Sequence, residues 1–168
     1  MIHRQLEKEI LKHFDDNKII VLFGARQVGK TSLLNKLTNN HDKVLWLNGD
    51  DTDTREYFEK PNATKIKNLI GSNKIVVIDE AQRIENIGLC LKIIHDQIKN
   101  VKVLATGSSA FELANKINEP LTGRKWEYQM FPFSFAEMVN HTSVLEEQRL
   151  LEHRLIYGYY PDAVNNPD

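Results

Sequence analysis

Ile19-Ile20-Val21-Leu22-Phe23-Gly24-Ala25-Arg26-Gln27-Val28-Gly29-Lys30-Thr31 is the stretch from which the rest of the chain is read. An apolar run, a glycine, four further residues and Gly-Lys-Thr spell a phosphate-binding loop between a strand and the first turn of a helix. Gly24 and Gly29 permit backbone angles closed to other residues and let main-chain N–H groups approach an anion with no Cβ between them. The amides of Gly24, Ala25, Arg26, Gln27, Val28 and Gly29 then make a nest, to which the helix opening near Lys30 adds the positive end of its dipole. Lys30 brings a point charge to the outer phosphates of a nucleoside triphosphate. The Thr31 hydroxyl is placed to ligate magnesium, with Ser32 beside it to assist.

The context on both sides suits that reading. Residues 18–23 are too uniformly apolar for a half-exposed strand and predict one buried on both faces of a parallel sheet. Leu33, Leu34 and Leu37 then recur at helical spacing. Another apolar strand, residues 74–78, delivers Asp79 and Glu80 at its C-terminal end. Carboxylates in such a place need a cation or hydrogen-bond donors. Asp79 is expected to hold a magnesium ion carried by the triphosphate. Glu80, facing another way, is expected to orient and deprotonate a water for in-line attack on the terminal phosphate.

Around these motifs the remaining elements fall in order. Ile2, Leu6, Ile10 and Phe14 give one apolar helical face ahead of the first strand, expected to pack beside the nucleotide site. Residues 44–47 predict a second strand closed by Asn48-Gly49-Asp50-Asp51, whose aspartates read as turn caps, with contact to a metal-bound water as the alternative. Short helices are expected over 54–58 and 62–70, and another is marked by Ile87, Cys90, Leu91, Ile94 and Ile98. Residues 101–106 predict the fourth strand, and Thr106 and Ser108 at its end are candidate hydroxyls for sensing the terminal phosphate or the attacking water. Ser109 and Glu112 stand at capping-box spacing, as do Ser134 with Glu137 and Ser143 with Glu146. Arg124 follows Gly123 in a turn before the fifth strand, 126–130. Its guanidinium either stabilises charge on a transferred phosphoryl group, within the chain or from a neighbour, or is solvated. Leu151, Leu155 and Ile156 are the apolar residues of a last helix. Tyr157-Gly158-Tyr159-Tyr160-Pro161 reads as the edge of a contact with residues outside this sequence.

At 168 residues the chain is one domain in size. Such a domain buries roughly 70 per cent of its unfolded surface and needs no disulfide or metal staple. A net charge of −1 gives no global pull toward nucleic acid or acidic membranes. The one cysteine, Cys90, has no partner for an internal disulfide and lies in an apolar helical pattern, so a reducing compartment, the cytoplasm, is expected. No apolar run reaches membrane-spanning length, and His3 and His13 have no ligand cluster around them.

In sequence, Gly24–Thr31, Ile78-Asp79-Glu80-Ala81-Gln82-Arg83-Ile84 and Leu104-Ala105-Thr106-Gly107-Ser108-Ser109-Ala110 resemble the motifs of AAA-type P-loop ATPases. With Leu121-Thr122-Gly123-Arg124, Phe131-Pro132-Phe133-Ser134-Phe135-Ala136-Glu137 and Tyr157–Pro161, the chain resembles, more narrowly, a large bacterial and archaeal family of ATPases whose full-length members carry a nuclease-like C-terminal domain. The resemblance implies a three-layer α/β/α P-loop NTPase fold with a five-stranded parallel sheet in the order 5-1-4-3-2. It implies ATP and Mg2+ as cofactors, held by Gly24–Ser32, with Thr31 and Asp79 on the metal, Glu80 on the water, Ser108 at the sensing position and Arg124 facing phosphate. The chain departs from the family at Gly24-Ala25, where a proline is commoner, and at Tyr159, where glycine is usual. Residues 1–140 form the expected ATPase core, and 141–168 a C-terminal helix and the start of a region that is longer in the family. Hydrolysis of ATP to move an attached domain or partner is the leading expectation, with homo-oligomers compatible. The alternative is a nucleotide-gated binding or signalling module with little or no turnover.

Overall fold

Every residue of strand β1 (Ile19–Gly24) is buried, yet its side chains serve two different cores. The computed structural model describes residues 2–108 and 110–165, with the backbone alone for 110–112. In it Ile19, Val21 and Phe23 enter one apolar cluster and Ile20 and Leu22 another. Successive strand residues face opposite sides of a sheet, so a strand covered on both sides must be apolar throughout.

Around β1 the chain runs α1 (Gln5–Lys12), β1, α2 (Lys30–Thr38), β2 (Val44–Asn48), α3 (Thr52–Glu59), α4 (Ala63–Ile70), β3 (Ile75–Asp79) and α5 (Ile87–Gln97). It continues through β4 (Lys102–Gly107), α6 (Ala110–Ile117), β5 (Lys125–Met130), α7 (Phe135–His141), α8 (Val144–Arg149), α9 (Leu151–Tyr157) and α10 (Pro161–Asn165). All strand pairs are parallel and the five strands lie in the order β2-β3-β4-β1-β5, which is the expected order read from its other edge. One face is covered by α3, α4, α5 and α6 through Phe58, Ile66, Ile87, Leu91, Ile94 and Ile117, and the other by α1 and α2 through Ile10, Leu33, Leu34 and Leu37. Each such side chain, fully buried, contributes about 1.5–3 kcal/mol.

Two ends differ from the sequence expectation. Helix α1 stops at Lys12, before Phe14, because the Lys102 ammonium, reaching from β4, collects the carbonyls of His13 (2.8 Å), Asp16 (3.1 Å) and Lys18 (2.8 Å) and fixes them in a non-helical turn. At the C-terminus one expected helix and an aromatic tail are three short helices. The inward position of α9 belongs to Arg154, which meets the fully buried Glu147 of α8 at 3.5 Å, so Leu151, Leu155 and Ile156 are left exposed at 47, 78 and 73 per cent. Removing one partner of such a buried pair strands the other charge, at a cost of about 3–5 kcal/mol. The Ser134–Glu137 capping box forms, and Ser143 accepts from the Glu146 amide. The Ser109–Glu112 pair lies outside the described residues. Among the described residues no helix is long and apolar enough to cross a membrane.

Candidate nucleotide site

The register places three strand ends side by side. Phe23 pairs with Gly107, Leu22 with Thr106 and Ile78 with Ala105, so β4 stands between the loop after β1 and the carboxylates after β3. Two strand spacings separate them, about 10 Å.

Gly24 is where β1 ends against the main chain of β5: a Cβ there would lie 2.5 Å from the Met130 carbonyl oxygen. The loop then needs two left-handed residues, Gln27 (φ 63°) and Gly29 (φ 97°), the second of which is the N-cap of α2. Lys30, at the first position of that helix, is buried and folds back over its own loop, donating to the carbonyls of Gly24 (2.9 Å) and Ala25 (2.8 Å). Burial pulls its pKa below the ordinary lysine value, against the upward pull of the Glu80 and Asp79 carboxylates, while nearby Arg26 depresses it further.

Asp79 is held on both oxygens. One accepts from the Thr106 hydroxyl and, at 3.1 Å, from the Glu80 amide; the other accepts from the Thr31 hydroxyl at 2.7 Å. Thr106 is fully buried and its hydroxyl is spent on this carboxylate and on the Glu80 amide, so of the two hydroxyls at the end of β4 only Ser108 faces outward. A threonine hydroxyl that donates to a carboxylate keeps its oxygen lone pairs for a cation, and hydroxyl and carboxylate oxygens are the hard ligands magnesium takes. Among the described residues no three His, Cys, Asp or Glu side chains converge on one point, so the shell of such an ion would be completed by phosphate and water. Residues Thr31 and Asp79 therefore fit Mg2+ brought with a nucleotide.

Glu80 occupies the left-handed region, φ 48° and ψ 40°, which turns its side chain away from that of Asp79. Such a backbone costs a non-glycine residue about 1–3 kcal/mol and persists only where its surroundings enforce it. Gly49 is part of the enforcement: its amide donates to the Asp79 carbonyl at 2.8 Å, and a Cβ on it would lie 2.3 Å from the Glu80 carbonyl oxygen. The Glu80 carboxylate accepts from the Gln82 carboxamide at 2.5 Å, and the same carboxamide donates to Ser108 at 2.9 Å.

Lys30, Thr31, Ser32 and Glu80 line a single open cleft of about 490 Å³, together with Arg26, Gln27 and Asp50. Asp50 pairs with the exposed Arg83 at 3.3 Å, and Asp51 takes the N-cap position of α3 without a side-chain cap bond. A second, more apolar cleft of about 300 Å³ opens alongside, sharing Gly29, Ser32 and Pro161 with the first and walled by Val28, Met130, Ile2 and Phe133. Arg4 fixes that wall: its guanidinium donates to the Phe131 carbonyl and lies 4.5 Å over the Phe133 ring. The Tyr157–Pro161 segment is not a free edge, since Tyr159 accepts from the Phe133 amide at 2.9 Å and leads Pro161 onto the loop.

Arg124 lies elsewhere. It immediately precedes β5, and its carbonyl accepts from Ile19 at the start of β1, so it sits at the opposite end of the sheet from the loop. A six-residue strand separates the two ends, about 20 Å. Its guanidinium donates to Asp96 at 2.9 Å, and this bond, with a second from His95, holds that carboxyl down to about 2. The expectation that Arg124 faces phosphate within its own chain is therefore corrected; only contact from a neighbouring subunit is left open to it. In a monomeric chain Arg124→Ala should leave ATP affinity and phosphate release within about twofold, as for surface positions away from a site. A loss that grows in proportion to subunit mixing would place it across an interface.

A parallel sheet of this order, with Gly-Ala-Arg-Gln-Val-Gly-Lys-Thr at the tip of the inner strand β1 and Asp-Glu two strands away, defines a P-loop nucleotide-binding fold. The family model described as AAA domain matches residues 16–139, and the chain belongs to that family. Uncharacterized protein MJ1544 of Methanocaldococcus jannaschii is 27% identical over 177 residues, covering 96% of this chain and 39% of its own length. An uncharacterized protein of Haemophilus influenzae is 27% identical over 183 residues, covering 98% and 45%. The chain thus spans less than half the length of the curated relatives it matches. Among solved structures, the Walker-type ATPase paby2304 of Pyrococcus abyssi superposes with a TM-score of 0.69 at 18% identity, covering all of this chain and 69% of that one. The STAND protein with a tetratricopeptide repeat sensor, PH0952 of Pyrococcus horikoshii, gives 0.60 at 17%, covering 96% and 28%. At those identities the likeness is one of fold.

Proposed function

We propose that this chain binds Mg2+-ATP and hydrolyses it to ADP and phosphate. The observation that carries the reading is that Lys30, Thr31 and Glu80 line one cleft, with Thr31 in turn donating to Asp79. The loop amides and the N-terminus of α2 bind the phosphates, and Lys30 leaves its loop carbonyls to pair with the outer ones. Thr31 and Asp79 hold the metal, which when bound neutralises charge on the phosphate oxygens. Glu80 orients a water and takes its proton. The base and ribose fit the apolar cleft between Val28, Met130 and Phe133, directly behind Gly29.

The relatives' greater length suits the reading in which residues 1–140 are the motor, 141–168 lead onward, and hydrolysis moves a further, nuclease-like domain or a partner, in a homo-oligomer or alone. A reducing, cytoplasmic setting suits a chain whose one cysteine, Cys90, is free; burial pushes its thiol up to about 12, so it stays protonated and unreactive at neutral pH.

The test is phosphate release from ATP by this chain with magnesium present and after chelation. Release that is catalytic in protein and falls to background with EDTA is expected. Tight ATP binding without any release would replace hydrolysis by a nucleotide-gated module.

A further inference from the structure

Hydrolysis as described gives no task to Gln82, a carboxamide only 5% exposed in the 3-10 turn Ala81–Arg83. Its nitrogen donates to Glu80 at 2.5 Å and to Ser108 at 2.9 Å, while its buried oxygen has no hydrogen-bond partner among the described residues. The orientation of this amide is fixed by chemistry. An ionised carboxylate can only accept, so the NH2 group must face Glu80, and both of its hydrogens are then used.

Two consequences follow for the site. One oxygen of Glu80 is tied down and the other is left to accept from a water. Ser108 accepts from Gln82, so its own hydroxyl proton is turned away from the amide, where it can donate to an anion. A side chain serving stability alone would be expected to satisfy its own oxygen and to close backbone bonds; this one spends both donors on two site side chains and leaves its acceptor without a partner among the described residues. The backbone of the turn is secured by something else, the Lys116 ammonium from α6, which reaches the carbonyls of Gln82 (2.6 Å) and Ile84 (3.2 Å).

We propose that Gln82 is a positioning residue that locks Glu80 and Ser108 into one unit, presenting an acceptor to the attacking water and a donor to the terminal phosphate. The inference rests on the hydrolytic reading above. It is tested by Gln82→Met, which keeps the length of the side chain and removes its donors, and by Gln82→Asn, which is one methylene too short to span both partners. Each is made in the parent chain and in Glu80→Gln. ATP affinity, thermal midpoint and single-turnover release of labelled γ-phosphate, followed for hours, are measured for all of them.

Loss of orientation lowers the release rate of Gln82→Met by about 10–100-fold, with ATP affinity within about threefold. Because Gln82 acts through Glu80 as well as through Ser108, adding Gln82→Met to Glu80→Gln lowers the rate by a smaller factor than it lowers the parent's. Should Gln82→Met not fold, Gln82→Asn carries the same comparison. Fully additive losses, a loss confined to affinity or thermal midpoint, or a Gln82→Met rate equal to the parent's would each overturn the inference while leaving hydrolysis standing. A parent chain that binds ATP and never releases phosphate would bring down hydrolysis, and the positioning role with it.

Discussion

Lys30→Ala should lower affinity for ATP by at least about 100-fold, roughly 3 kcal/mol, with the polypeptide still folded. The ammonium is the one cation buried in the loop, and burial works against its charge, so it is poised to gain when phosphate oxygens replace the two carbonyls that now hold it. Hydrogen bonds to charged groups contribute about 1.5–3 kcal/mol each, and the outer phosphates offer more than one. The same substitution strips the donor from the buried Gly24 carbonyl, which costs about 1–3 kcal/mol of stability. Isothermal titration and a thermal melt on the same sample separate the two effects. Lys30→Met, which keeps the aliphatic stem and loses only the charge, should lose affinity to the same extent. A lower melting temperature with unchanged affinity would remove Lys30 from phosphate binding.

How much of this was legible in the sequence depends on whether the determining contact is local. Gly24, Gly29, Lys30 and Thr31 lie in one continuous loop, and Asp79 and Glu80 at one strand end, so spacing and apolar runs were enough to single them out as candidates. The strand order was not contained in any periodicity; it came from the resemblance to AAA-type ATPases. Spacing alone could not tell Thr106 from Ser108, and only the resemblance singled out Ser108, because the distinction lies in register: Thr106 sits opposite Leu22 and is sealed beneath the surface, whereas Ser108 is beyond the sheet. Arg124 misled for want of one geometric step. In a parallel sheet a residue just before a strand lies at the edge away from the ligand, and Arg124 precedes the fifth strand. Gln82 has no motif signal as a partner of Ser108, since the bond joins residues 26 apart. The apolar cleft is assembled from Ile2, Val28, Phe133 and Pro161, which only the folded chain brings together. The C-terminal helices failed for the opposite reason: their apolar pattern suggested an inward face, but the buried Glu147–Arg154 pair holds it.

Glu80→Gln should retain ATP and lose phosphate release by about 10²–10⁴-fold, the usual contribution of a positioned general base. Few substitutions isolate a base so cleanly. The glutamine oxygen can still accept from the Gln82 amide, so the bond that fixes the side chain survives. The left-handed backbone at this position is imposed by Gly49 and the turn, not by the charge, and is the same for either residue. Asp79, Thr31 and Thr106 keep their mutual bonds, leaving in place the oxygens proposed to hold the metal. What is gone is the second carboxylate oxygen, which accepts from the water and takes its proton. ATP affinity within about threefold of the parent, measured alongside single-turnover release, is therefore the signature of a base rather than of a structural acid. Equal release by Glu80→Gln and the parent would mean that the water is activated by the phosphate itself, and the strained turn after the third strand would then need another explanation.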